Sequence, residues 1–118
     1  MIAVIFEVIP RQELKQDYLE IAAALAPLLQ ELDGFISIER FQSLSQPDKI
    51  LSLSYWRDEA AVAAWRNREP HRAAQQQGRG AMFQDYRLRI ASVLRDYGLN
   101  DRTQAPLDSR QNLSGDTA

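Results

Sequence analysis

The chain opens on a strict alternation of side chains. Ile2, Val4, Phe6 and Val8 share one parity and Ala3, Ile5, Glu7 and Ile9 the other, and their β-branched content makes Met1 to Ile9 a strand. Both faces are mostly apolar, which places the strand at the centre of a sheet. Pro10 ends it, because proline has no N–H to give to a ladder. From Gln12 to Leu32 the period changes. Leu14, Tyr18, Ile21, Leu25, Leu28 and Leu32 recur at steps of four and three, the stripe of a long amphipathic helix. Pro27 removes a backbone donor inside this stretch and predicts a kink or a one-turn break near Ala23 to Ala26. Asp33 and Gly34 form the stop.

Alternation returns from Phe35 to Phe41, with Ile36 and Ile38 on one face, and continues to about Ser43. Ser45-Gln46-Pro47-Asp48 reads as a turn, and Lys49 to Trp56 supplies a third strand with Leu51, Leu53 and Tyr55 on one side, completing a hairpin. Asp58 is an N-cap with Glu59 in the first turn, and an alanine-rich run propagates a helix through Trp65. Pro70 fits the first position of a short second helical piece, with a bend near Arg68 and Glu69 and a polar loop from Gln75 to Gly80. Met82 to Tyr97 alternates once more as the final strand, with Tyr86, Leu88, Ile90, Ser92 and Leu94 facing one way.

The order β-α-β-β-α-β predicts an α+β protein of ferredoxin-like (split βαβ) architecture: a four-stranded antiparallel sheet with helices on one face. The opposite sheet face is too apolar for water and predicts a homodimer joined through that open face. One domain is expected over residues 1–99. Residues 100–118 lose all periodicity and are expected to be mobile or to cross to the partner subunit.

Composition narrows the chemistry. The 118 residues carry 14 basic and 16 acidic side chains of interspersed sign, so no extended field exists to hold nucleic acid or an anionic membrane. There is no cysteine, which removes disulfides, thiolate nucleophiles and cysteine zinc sites, and one histidine alone builds no histidine-rich metal centre. RNA-recognition modules share the element order, but these strands lack their basic and aromatic signature. No apolar run approaches the roughly 20 residues of a membrane helix, and no basic segment precedes a long apolar one, so the expected location is cytoplasmic.

Candidate site residues lie mainly between Ser54 and Ala74, which holds both tryptophans and the histidine. Trp65 follows Ala61 and Val62 at helical spacing, so its ring faces the sheet, either as core packing or as the wall of a ligand site. His71 follows Pro70 at a helix start, where the positive terminus keeps an imidazole neutral and able to accept a proton, unless it is simply solvated. Trp56, at a strand end, reads as packing. Tyr55, Arg40, Glu39, Glu7, Tyr86 and Arg89 are polar groups within strands that either pair with one another or line a cavity.

D-G-F-I-S at Asp33 to Ser37, L-S-Y-W at Leu53 to Trp56, D-E-A at Asp58 to Ala60, Trp65 and E-P-H-R-A-A at Glu69 to Ala74 resemble the antibiotic biosynthesis monooxygenase family over Met1 to Leu99. The resemblance implies a dimeric α+β barrel and, among its members, cofactor-independent oxygenases of phenols and anthrones as well as haem-degrading relatives. Trp65 matches a pocket tryptophan of both branches, and His71 a histidine common in the wider family. The haem branch also uses a first-strand asparagine and a later helix histidine, where this chain has Ile5, Phe6 and Glu7 and then Gln75, so haem cleavage is disfavoured. The expectation is a monooxygenase that takes a small phenolic or quinol-like aromatic and molecular oxygen, with no cofactor and no metal. Trp65 and His71 are its expected catalytic residues, and Tyr55, Arg40, Phe6 and Phe83 its substrate-binding residues. The competing expectation is a non-catalytic ligand-binding or stress-response dimer on the same fold.

Overall fold

The computed structural model describes residues 1–68 and 82–111. Its elements run β1 (Ile2–Pro10), a 3₁₀ turn (Gln12–Leu14), α1 (Lys15–Gln30), β2 (Phe35–Gln42), β3 (Ile50–Trp56), α2 (Glu59–Arg66), β4 (Phe83–Ser92) and a short α3 (Leu107–Gln111). The four strands form one antiparallel sheet in the order β2-β3-β1-β4, the arrangement expected of a ferredoxin-like α+β fold.

β1 pairs with β3 on one side and β4 on the other, the central place its apolar pattern predicted. Register fixes the two faces of the sheet. Ile38, Ser54, Val4 and Ile90 lie in one row and Arg40, Ser52, Phe6 and Leu88 in the next, all toward the helices. Ala3, Ile5 and Glu7 of β1, with Leu51, Leu53 and Tyr55 of β3, point to the opposite, open face.

Two clusters anchor the helices. Leu29 of α1 packs with Trp56, Ala61 and Val62, while Tyr18 packs with Val8, Ile50 and Met82. Leu29 is only 2% exposed and Trp56 1%, and burial of a leucine side chain contributes about 2 kcal/mol. The buried face of α1 is Tyr18, Ala22 and Leu29, one position off the predicted stripe at its C-terminal end. The predicted break at Ala23 to Ala26 is absent. α1 runs unbroken through Pro27, which is exposed and sits near the helix end, so the lost hydrogen bond is offset by packing on the other side of the helix.

Strand ends also differ. β4 stops at Ser92 rather than Tyr97, after which Val93 N–H donates to the Met1 carbonyl at 3.0 Å. The tail is not featureless over its described part. Gln104 Oε1 accepts from Asp96 N–H at 2.9 Å, Arg102 lies 5.0 Å from the Tyr97 ring centroid, and α3 follows the buried Ala105. The predicted second helical piece at Pro70 and the polar loop from Gln75 to Gly80 lie outside the described residues.

α2 is set in place by its own N-terminus. Asp58 Oδ1 accepts from Ala61 N–H at 2.9 Å, an N-cap, while Arg57 donates to Asp58 and to both oxygens of Asp33. The Asp33 and Asp58 carboxylates hold the Arg57 guanidinium proton more tightly than usual, and Arg57 together with the cap holds the Asp58 carboxyl below the usual range. These groups are solvated, so their value is directional: they tie the Asp33–Gly34 turn to the start of α2. Gly34 makes the approach possible, with φ at +86° and an added Cβ falling 2.7 Å from the Ala61 Cβ.

Gly34→Ala is therefore expected to lower unfolding free energy by about 2 to 4 kcal/mol, from left-handed strain plus overpacking against α2. Urea denaturation at neutral pH measures it. Gly98→Ala, which meets nothing within 4 Å, is the matched control with a change below about 0.5 kcal/mol. Equal effects at the two glycines would remove the steric account.

Candidate functional site

A cavity of about 380 Å³ lies between the helices and the sheet, a size suited to a small organic molecule. Its cause is legible in the residues. At the middle of β3 the helix-facing positions are Ser52 and Ser54, and above them α1 presents Ala22, so small side chains stand where leucines would close the core. Larger residues fill the two ends, and a hollow remains between the clusters.

At one end Phe6, Phe83, Tyr86 and Tyr18 form an aromatic group, with Phe6 and Phe83 centroids 5.8 Å apart and Tyr18 edge-on to Phe83 at 5.6 Å. At the other end Trp56, Trp65, Val62 and Leu29 close the wall. Trp56 is a packing residue, as predicted: its ring is buried, T-shaped against Phe35 at 5.3 Å, and its indole N–H donates to Ser54 Oγ at 2.9 Å. Trp65 is half-buried and lines the cavity from α2. On the β4 side the floor is open: Leu88 is 47% exposed and Ile90 45%, although both line the hollow.

Arg40 is the polar feature of the interior. It projects from the edge strand β2 into the cavity beside Ser52, and its Nε is buried with no hydrogen-bond partner. The three ion pairs among the described residues are Arg57 with Asp33, Arg57 with Asp58, and Arg89 with Glu7, so Arg40 has no carboxylate there. It acts instead on Tyr18. Burial raises the Tyr18 phenol above its ordinary value, and the nearby Arg40 charge and hydrogen bond reduce that rise without reversing it. Tyr18 is thus a neutral hydroxyl at physiological pH.

Of the six residues predicted for the site, the structure brings Trp65, Arg40, Phe6 and Phe83 to one cavity. Tyr55 is not among them. It pairs with Ala3 on β1 and lies on the open sheet face with Ile5, Leu51 and Leu53, because strand alternation turns it away whenever Ser54 and Trp56 face inward. His71 lies outside the described residues. Glu7 and Arg89 pair across the open face at 3.2 Å, whereas Tyr86 lines the cavity. The sequence reading missed Tyr18, Ser52 and Ser54 as cavity residues. Register supplies the missing signal, since the alternation S-L-S-Y-W leaves open which parity meets the helices. Among the described residues no group of three or more metal-ligating side chains occurs, and no helix is long and apolar enough to cross a membrane.

The raised Tyr18 phenol gives a pH dependence of definite sign. The native state keeps its proton above the ordinary value near 10 while the unfolded chain releases it, so stability is lost as pH rises through that range. Urea denaturation between pH 8 and 11 is expected to show a steeper alkaline loss for the wild type than for Tyr18→Phe. A steeper loss for the variant contradicts a buried, protonated Tyr18.

Residues 1–77 match the family model described as antibiotic biosynthesis monooxygenase. A jasmonate monooxygenase of Pyricularia oryzae is 47% identical over 93 residues, which is 79% of this chain and 43% of that protein, so the match spans less than half of that relative. The protein YqjZ of Bacillus subtilis is 30% identical over 102 residues, 86% of each chain. Among solved structures, Rv0793 from Mycobacterium tuberculosis superposes with a TM-score of 0.74 at 15% identity, covering 82% of this chain and 98% of that one, which is a likeness of fold. With residues 1–77, more than half of its length, matched by the family model, the chain belongs to the antibiotic biosynthesis monooxygenase family.

Proposed function

We propose that the protein is a monooxygenase that oxidises a small phenolic or quinol-like molecule in the helix-side cavity, using molecular oxygen and no metal or organic cofactor. The observation that carries this reading is the cavity itself: an aromatic and aliphatic enclosure with, among the described residues, one interior cation, Arg40, beside a neutral hydroxyl, Tyr18. Trp65, Phe6 and Phe83 hold a flat ring between them, and the Arg40 charge favours the anionic form of the substrate. An electron-rich anion of this kind is able to reduce oxygen directly. In the balanced reaction a phenol loses its O–H hydrogen and one ring C–H hydrogen, one atom of O₂ becomes the second C=O of a quinone at that carbon, and the other leaves as water with the two hydrogens. His71 is proposed as the base that takes the first proton. The P. oryzae relative places jasmonate alongside phenols and anthrones in the panel of substrates to be tested.

The open sheet face supports a homodimer. Ile5, Leu51, Leu53 and Tyr55 present an apolar patch there, and Ile36 and Phe41 add exposed apolar surface.

Two measurements test the proposal. An oxygen electrode with chelator-treated protein is expected to record substrate-dependent uptake with hydroquinones, anthrones or jasmonate, and a roughly tenfold or greater fall in kcat/KM for Trp65→Phe and His71→Ala, about 1.4 kcal/mol of lost transition-state stabilisation. No uptake with any of these substrates, or unchanged rates in both variants, leaves a ligand-binding module as the better account. Light scattering is expected to give twice the 13.5 kDa chain mass for the wild type and the single-chain mass for Leu53→Arg, with far-ultraviolet dichroism retained. A monomeric wild type removes the open-face dimer.

A further inference from the structure

We propose that the substrate carries a carboxylate, which Arg40 receives at the edge-strand side of the cavity while the apolar body of the molecule fills the space toward Trp65. This rests on the reading above that the helix-side cavity is the substrate site, and it specifies the chemical class admitted there.

The first support is an imbalance of charge. The described lining residues include two cations, Arg40 and Arg66, and no aspartate or glutamate. Arg66 is exposed at the end of α2 and is served by water, whereas Arg40 is half-buried with an Nε that neither solvent nor protein satisfies. A guanidinium taken out of water is stable when a carboxylate compensates it. Elsewhere the chain obeys this: Arg57 has Asp33 and Asp58, and Arg89 has Glu7, although these pairs are largely solvated and need compensation least. The one arginine most in need of an anion has none among the described residues.

Neighbouring groups do not fill the gap. Tyr18 stays protonated near neutral pH, so it offers a dipole where a charge is missing. Ser52, beside Arg40 in register, is likewise neutral. The anion therefore arrives with the ligand.

Geometry selects among anions. A guanidinium presents parallel N–H groups whose spacing matches the two oxygens of a carboxylate, whereas a phenolate has one oxygen and leaves a donor unmatched. The remaining walls are aromatic and aliphatic, so the class is a small mono-acid with a flat or alicyclic apolar body. In a phenolic acid the carboxylate occupies Arg40 and the ring hydroxyl lies toward Trp65, so its deprotonation rests on the proposed base; Arg40 favours the phenolate itself only in a substrate without an acid group.

Isothermal titration calorimetry with three acid and amide pairs of matched shape tests this: benzoate and benzamide, 1-naphthoate and 1-naphthamide, cyclohexylacetate and its amide. At pH 7.5 at least one acid is expected to bind tenfold or more tightly than its amide. In Arg40→Met the gap is expected to fall below threefold with amide affinity unchanged, Arg40→Lys should keep part of it, and Arg66→Gln should leave it intact. Equal binding of acids and amides to the wild type, failure of all three acids to bind at millimolar concentration, or a gap that follows Arg66 instead overturns the proposal without need of a folded Arg40 variant. Oxygen uptake read on the same samples separates the two claims. Acid-selective binding without uptake with any substrate removes the oxygenase and leaves the carboxylate site. Substrate-dependent uptake by the wild type, with acids and amides bound equally, does the reverse.

Discussion

The structure depends on β1 being hydrogen-bonded along both edges. A strand with β3 on one side and β4 on the other has no solvent-facing edge, and its side chains alternate between the surface under the helices and the open surface. Val4, Phe6 and Val8 serve the helix side and Ala3 and Ile5 the open side. The same alternation is imposed on β3, where it sends Ser52, Ser54 and Trp56 to the helices and Leu51, Leu53 and Tyr55 away from them. One parity rule therefore creates both features of interest. Small side chains on the inner face leave a hollow, and large ones on the outer face leave a patch that water covers poorly.

The helices complete the hollow without filling it. α1 lies over the sheet through Tyr18, Ala22 and Leu29, and α2 is fixed at its start by the Asp58 cap and the close contact of Gly34 with Ala61. That contact lies just behind the Trp56 and Val62 wall of the cavity, and it sets the position of the helix that carries Trp65 about one turn later. Toward β4 the described helices end, and Leu88 and Ile90 remain half exposed on a surface that elsewhere is core.

Much of this was legible in the sequence because period carries it. The four strands and the long helix follow from periods of two and of three to four, and the spacing of Trp65 to Ala61 and Val62 alone turns its ring inward. What failed was of a different kind. The strand pattern groups Tyr55 with Leu51 and Leu53, yet alternation defines two faces without saying which one the helices cover, so it does not keep Tyr55 out of the cavity. Only the register with β1 decides that. Pro27 misled in the opposite sense. A local rule predicted a break, but the proline lies on the solvent side near the end of α1 while Leu29 is held in the core, so tertiary packing overrides the missing donor.

Arg40 brings these strands of reasoning together. On an edge strand an arginine is ordinarily free to turn its head to water, and β2 is such an edge. Here the even parity that places Ile38 and Gln42 on the inner face also commits Arg40 to it, between the aromatic end of the cavity and the serines of β3. A leucine at this position would pack with less desolvation, and a carboxylate beside it would neutralise the charge; the described chain has neither. Burial raises the Tyr18 phenol, so it keeps its proton and adds no negative charge beside Arg40. A cavity that is apolar on its walls, cationic at one pole and open along β4 offers its two ends to different chemical groups, and that asymmetry is the physical ground on which an acid-bearing substrate is proposed.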